Sequence, residues 1–133
     1  MSTSHTVGMH MTKSPVVVER NTTMAVALRI MDEQGFRHLP VVAEGKLVGV
    51  VSERELKIVD NMAGFAGRLC VVGDFVLGAP YRVSPDALLV EVARSMAENK
   101  YGSAVVCDGD TVIGMFTTTD ALRALAAVLE TGA

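Results

Sequence analysis

Residues 7 to 56 recur, without a gap, 65 positions further along the chain. In that register Val7 falls on Val72, Gly8 on Gly73, Pro15 on Pro80, Val18 on Val83, Arg29 on Arg94, Met31 on Met96, Glu33 on Glu98, Val41 on Val106 and Gly49 on Gly114. Nine identities in 50 positions exceed the about three or four that ordinary residue usage gives by chance. The chain is a tandem duplication. Each copy, at about 60 residues, is marginal as an independent core, so the two are expected to build one module with approximate two-fold symmetry. Seams of that kind are where small ligands tend to bind.

Half of the 133 residues are hydrophobic, enough for a packed core and too many for a disordered chain. A net charge of -3, with basic residues scattered, gives no electrostatic footprint for nucleic acid or an acidic membrane surface. Asp60, Arg68, Asp74, Arg82 and Glu91 interrupt the apolar runs before any reaches the length of a membrane span. The stretch from Met1 to Lys13 holds no apolar signal-peptide core, so a cytoplasmic address is expected. Cys70 and Cys107 have no counterparts in the repeat register, and they read as packing residues. His5, His10 and His38 show no metal-ligand spacing, and no metal site is expected.

Each copy reads as strand, helix, strand, strand, helix. In the second, Tyr81 to Val83 is a short strand, Ser84, Pro85 and Asp86 supply helix-start chemistry, and Leu88, Leu89, Val92, Met96 and Ala97 place one apolar face on a helix ending at Asn99. Ser103 to Val106 and Thr111 to Phe116 form a hairpin around Asp108 and Gly109, and a helix runs from Thr118 to about Glu130. The first copy repeats this with a strand at Val16 to Val18, Asn21 in the place of Asp86, a helix from Met24 to Gln34 stopped by Gly35, strands at His38 to Val42 and Lys46 to Val51, and a helix from Glu53 to about Met62. The expected layout is repeat 1 over residues 7–62, a connection at 63–71 and repeat 2 over 72–130, with tails at 1–6 and 131–133. Ala121 to Leu129 carries only Arg123 as a charge, and Met24 to Met31 only Arg29. Helices apolar on more than one side are buried on more than one side, which predicts a two-fold homodimer.

The chemistry-bearing motif stands at the end of the last strand of each copy: Gly49-Val50-Val51-Ser52-Glu53-Arg54-Glu55 and Gly114-Met115-Phe116-Thr117-Thr118-Thr119-Asp120. A glycine admits close approach, the strand ends, and a hydroxyl opens a helix with a carboxylate three residues on. A helix start offers backbone N–H groups to an anion, and a carboxylate one turn in can accept from vicinal sugar hydroxyls. The same Ser/Thr-x-x-acid spacing is also the capping box, in which the two side chains only satisfy each other's amides. Glu55 is the residue type that the box prefers, whereas Asp120 is shorter and expected to reach back less well. Copy two therefore reads as the better ligand site and copy one as the cap.

Duplicated strand-helix-strand-strand-helix units with Gly-hydrophobic-hydrophobic-Thr/Ser-x-x-Asp after the third strand resemble a pair of CBS domains, also called a Bateman module. The resemblance runs from about Val7 to Val128. It implies an α/β (α+β) fold of tandem β-α-β-β-α repeats forming one pseudo-two-fold module. It also implies a regulatory role without catalysis: binding of AMP, ADP, ATP or S-adenosylmethionine in a cleft between the copies, and action on an effector that the sequence does not identify. On the family's pattern Thr117 would meet phosphate or ribose, Asp120 the ribose hydroxyls, and adenine would lie near Thr12, Lys13, Ser14 and Val16. A weaker mirror site would use Ser52 and Glu55 with Leu77, Ala79 and Tyr81, the extra methylene of Glu55 displacing its carboxylate. Arg37, His38 and Arg54 resemble positions that set basic groups against phosphates, where a guanidinium donates in a fork. No cofactor is required on this reading, and the partners are an adenosine-type small molecule, a second copy of the chain and an effector. The alternative is a structural, dimerising module in which both motifs are caps. An enzyme is disfavoured, because Cys107 lacks a histidine at any suggestive spacing and no phosphate loop is present.

Overall fold

The computed structural model describes residues 5–13, 16–67, 69–76 and 79–132, with residues 63–67 described by backbone alone. Ser14 and Leu77 lie outside the described residues. Two compact units divide the chain between residues 15 and 16 and again between residues 80 and 81. One unit is continuous, residues 16–80. The other is composite, joining the residues before 16 to those after 80. The elements are β1 (Thr12–Lys13), β2 (Val18–Glu19), α1 (Met24–Gln34), β3 (His38–Ala43), β4 (Lys46–Ser52), α2 (Glu53–Gly67), β5 (Arg82–Val83), α3 (Leu89–Asn99), β6 (Ser103–Asp108), β7 (Thr111–Thr117) and α4 (Thr118–Thr131). The fold is mixed α/β, each unit carrying the β-α-β-β-α order read from the sequence.

In the continuous unit β2 runs parallel to β3, and β3 antiparallel to β4. In the composite unit β5 runs parallel to β6, β6 antiparallel to β7, and β1 adds antiparallel along the far edge of β7. The duplication extends to irregularities: a bulge lies between Val41 and Val42 and again between Val106 and Cys107. Both hairpins turn on two residues, Glu44-Gly45 and Gly109-Asp110, with positive φ at Glu44, Gly45 and Gly109. The second turn therefore sits one residue beyond the Asp108-Gly109 read from the sequence.

The two cores match position by position with altered volumes. Val18, Met24, Ala27, Met31, Leu39, Val41, Val51, Leu56 and Val72 fill the continuous unit. Val7, Val92, Met96, Ala104, Val106 and Phe116 fill the composite one. Leu39 faces Val51 across the first hairpin, and at the matching register Ala104 faces Phe116. A medium pair has become a small-large pair, which conserves the filled volume.

The short segment leading into each copy packs on the other copy's elements. Val7 N–H donates to Ala87 O at 2.8 Å and Gly8 N–H to Pro85 O at 2.9 Å; Val72 N–H donates to Thr22 O at 2.8 Å and Gly73 N–H to Arg20 O at 2.9 Å. A Cβ on Gly8 or Gly73 would sit 2.8 Å from the carbonyl it faces, which accounts for glycine at both positions. These segments also correct the expected helix starts. The first amide of α3, Leu89, donates to His5 O at 2.9 Å, while Ser84 and Asp86 form a turn before the helix, Asp86 N–H donating to Ser84 Oγ at 3.2 Å. In α1 the cap is Thr23, whose hydroxyl accepts from Val26 N–H at 3.3 Å, and Met24 N–H donates to Cys70 O at 2.7 Å; Asn21 is not the cap. A carbonyl from the lead segment takes the amide that a capping side chain would otherwise serve.

Candidate functional site

The two Gly-x-x-Ser/Thr-x-x-acid motifs form the corners where β4 enters α2 and β7 enters α4. The glycines have the role assigned to them: a Cβ on Gly49 would overlap the side chain of Val76, and one on Gly114 would overlap Met11 and lie 2.9 Å from Thr12 O. By letting β1 onto β7 opposite Gly114, the missing side chain brings Thr12 to the second corner. There Asp120 is 5% exposed, the one buried charged side chain among the described residues.

Both Asp120 oxygens are engaged. Oδ2 accepts from Thr117 N–H at 2.9 Å and from the Thr117 hydroxyl at 3.2 Å, while Oδ1 accepts from the Thr12 hydroxyl at 3.0 Å. Asp120 N–H donates back to Thr117 Oγ1 at 3.4 Å, completing the capping box. The guanidinium of Arg123, exposed and one turn on, stands 3.8 Å from Oδ1. Burial of a carboxylate is tolerated here because each oxygen has a hydrogen-bond donor and a cation lies beside it.

At the first corner Glu55 N–H donates to Ser52 Oγ at 3.2 Å and the Ser52 hydroxyl donates to Glu55 Oε1 at 2.9 Å, both groups lying toward solvent. The expectation that Asp120 reaches back less well does not hold, because the box at the second corner is complete. The shorter Asp120 does reach the amide of its capping partner, because a carboxylate drawn in over the helix end by Thr12 needs no extra methylene. Neither helix start presents a full set of open amides. Glu53 N–H donates to Arg37 O at 2.8 Å and Thr118 N–H to Gly102 O at 3.2 Å, so the first and third amides of each helix are already used.

The remaining candidates divide between the units. Thr12 and Lys13 stand on β1 beside Thr117 and Asp120, with Lys13 opposite Gly114 in register. Tyr81 is in the same unit, packed on its core and stacked on Tyr101 with ring centroids 4.9 Å apart. Val16 packs on the core of the continuous unit. Arg37 and His38 stand there beside the Ser52 corner, His38 opposite Ser52 in register, with Arg54 one residue into α2 and Ala79 exposed. Burial lowers the pKa of His38, the charge of Glu55 opposes this and that of Arg37 adds to it. The sequence reading set Thr12 near this corner but not its bond to Asp120, which spans 108 residues, and it missed Arg123, three residues from Asp120 on one helix face, which read only as a stray charge. His5 Nδ1 and His10 Nε2 meet at 3.0 Å, and no group of three metal-ligating side chains occurs among the described residues.

The model of the CBS domain family matches residues 7–61 and again 66–127. The chain belongs to the CBS-domain family. It is a tandem pair, and the pair is 27% identical, over 88% of its length, to the uncharacterized protein MJ0188 of Methanocaldococcus jannaschii, of which it spans 43%. Among solved structures, this CBS pair superposes with a TM-score of 0.84 on a Vibrio cholerae protein assigned to acetoin utilization, AcuB, at 27% identity, covering 96% of this chain and 95% of that one. CBSX2 of Arabidopsis thaliana, solved in complex with AMP, superposes with a TM-score of 0.79 at 30% identity, covering 93% and 98%.

Proposed function

We propose that this CBS pair is a regulatory module that binds an adenosine-containing ligand at the Thr117–Asp120 corner and passes its occupancy to an effector. One observation carries the reading: two hydroxyls, Thr12 and Thr117, converge on the two oxygens of one buried carboxylate. A ribose offers two vicinal hydroxyls at comparable separation, so it can take the places of both threonine donors while Thr117 N–H keeps its bond. Exchange of like for like leaves no buried oxygen unpaired. Lys13, next to Thr12 on β1, supplies a cation for phosphate. The AMP complex of CBSX2 supports adenosine as the ligand class. At the Ser52 corner Glu55 is exposed and no β1-like hydroxyl is seen among the described residues, so a second site there is weaker, with Arg37 and Arg54 as its phosphate contacts.

A second reading has its own observation, the complete capping box. In it Thr117 and Asp120 only close the helix, and the module serves structure and self-association. No helix among the described residues is long and apolar enough to cross a membrane. Calorimetric titration with AMP, ADP, ATP and S-adenosylmethionine separates the readings. Binding that weakens at least about tenfold in Asp120→Ala and changes little in Glu55→Ala supports the ligand site. Failure of all four ligands to bind the wild type leaves the structural module.

A further inference from the structure

His5 and His10 bracket a single 3-10 helical turn, Val7–Met9, in the segment leading into copy one. Their rings meet beside it, His5 Nδ1 and His10 Nε2 standing 3.0 Å apart with the ring planes inclined at 37°. The backbone fixes both ends of the turn. His5 O accepts from Leu89 N–H at 2.9 Å and His10 N–H donates to Val7 O at 3.1 Å, while Val7 and Gly8 are held on Ala87 and Pro85. In the 65-residue register the same places hold Cys70 and Phe75, and Cys70 O accepts from Met24 N–H as His5 O accepts from Leu89. Docking of a lead segment therefore needs no imidazole, since the segment of copy two docks without one. The two histidines are an addition to the scaffold. Both are half-buried, so water and small ions reach them.

We propose that His5 and His10 form a two-imidazole site for a divalent transition-metal ion of the zinc, nickel or copper class. A hydrogen bond between two neutral imidazoles aims the lone pair of one and the N–H of the other at the same space. Moving that one proton, through solvent, to the far nitrogen of its own ring leaves two lone pairs converging there. Each ring then keeps one N–H, and no proton is gained or lost overall. Two metal–nitrogen bonds of about 2.0–2.1 Å at a tetrahedral angle set the nitrogens about 3.3 Å apart, so the rings part by only about 0.3 Å. Imidazole suits zinc, nickel and copper, whereas magnesium and calcium prefer oxygen. Water completes the coordination, because no group of three His, Cys, Asp or Glu side chains occurs among the described residues. The ion staples the two ends of the turn and so tightens the seat of the lead segment on α3. A spacing of five residues puts two side chains on one face of neither a helix nor a strand, which is why the sequence led to no metal site.

Zn2+, with Mg2+ as the control, is titrated calorimetrically into protein free of any polyhistidine tag. The expected result is one saturable Zn2+ site per chain, with a dissociation constant at least about tenfold higher in His5→Gln and in His10→Gln and unchanged in Cys70→Ser/Cys107→Ala. Zn2+ is also expected to raise the melting temperature of the wild type and of neither histidine variant. It should slow hydrogen exchange at the Leu89 amide of the wild type, because that amide donates to His5 O. The exchange measurement uses no substitution, so it decides the matter even where a variant folds poorly. Absence of a saturable Zn2+ site overturns the proposal, as does binding that survives both histidine variants, is lost with the cysteines, or leaves exchange at Leu89 unchanged. A chain that binds Zn2+ and no nucleotide keeps this site and loses the adenosine reading, so the two stand or fall separately.

Discussion

The continuous and composite units share a backbone plan down to the position of a strand bulge, and they differ wherever a side chain reaches outward. One facing inward pair has changed in a compensating way, Leu39 with Val51 against Ala104 with Phe116. Outward positions have diverged freely: the Ser52–Glu55 pair lies toward solvent, whereas Thr117–Asp120 is drawn under β1 by Thr12, and one interhelical groove is charged where the other is apolar. A duplicated scaffold thus separates what packing demands from what is left open to function. Packing constrains volume, and a surface position is constrained only by what it meets.

The sharpest break of that comparison is in the cores. Phe116→Ala should destabilise the chain by about 3–5 kcal/mol in denaturant unfolding, because Ala104 opposite offers no bulk to fill the space. Adding Ala104→Leu should recover part of the loss, and a strictly additive double variant would refute the volume compensation. Next in size is Gly114→Ala, expected to cost about 1–3 kcal/mol in denaturant unfolding by pushing β1 off β7. The two corners should then respond unequally. Asp120→Ala should lower stability by about 1–3 kcal/mol, since buried donors lose their acceptor, and Glu55→Ala by only about 0.5 kcal/mol at an exposed cap. Equal losses in thermal melts would erase the difference between them.

The smallest effect concerns pH. His38 has its pKa lowered in the folded state by burial, so below its ordinary value near 6.5 the unfolded chain binds the extra proton. Stability is therefore complete above about pH 6.5 and declines as pH falls through that value toward the lowered one. His38→Gln should flatten this part of the stability profile relative to wild type. Ser103, its counterpart, contributes no such slope.

Much of this was legible in residue order. The 65-residue repeat, the apolar periodicity of Val92 and Met96 and the Gly-x-x-Thr-x-x-Asp corner are local patterns, and local patterns report local structure. The helix starts at Thr23 and Leu88 were misplaced because their amides are served by carbonyls of Cys70 and His5, well outside any local window. The same reason hid the bond from Thr12 to Asp120.

By itself the sequence determined the duplication and the order of elements in each copy, since these follow from spacing and side-chain chemistry. Tertiary structure alone decided that each lead segment docks on the other copy's elements, that Asp120 is buried with both oxygens engaged, and which helix face stays apolar and uncovered. Contacts across a hundred residues are set by which surfaces exclude water together, and no nearest-neighbour pattern in a chain records that.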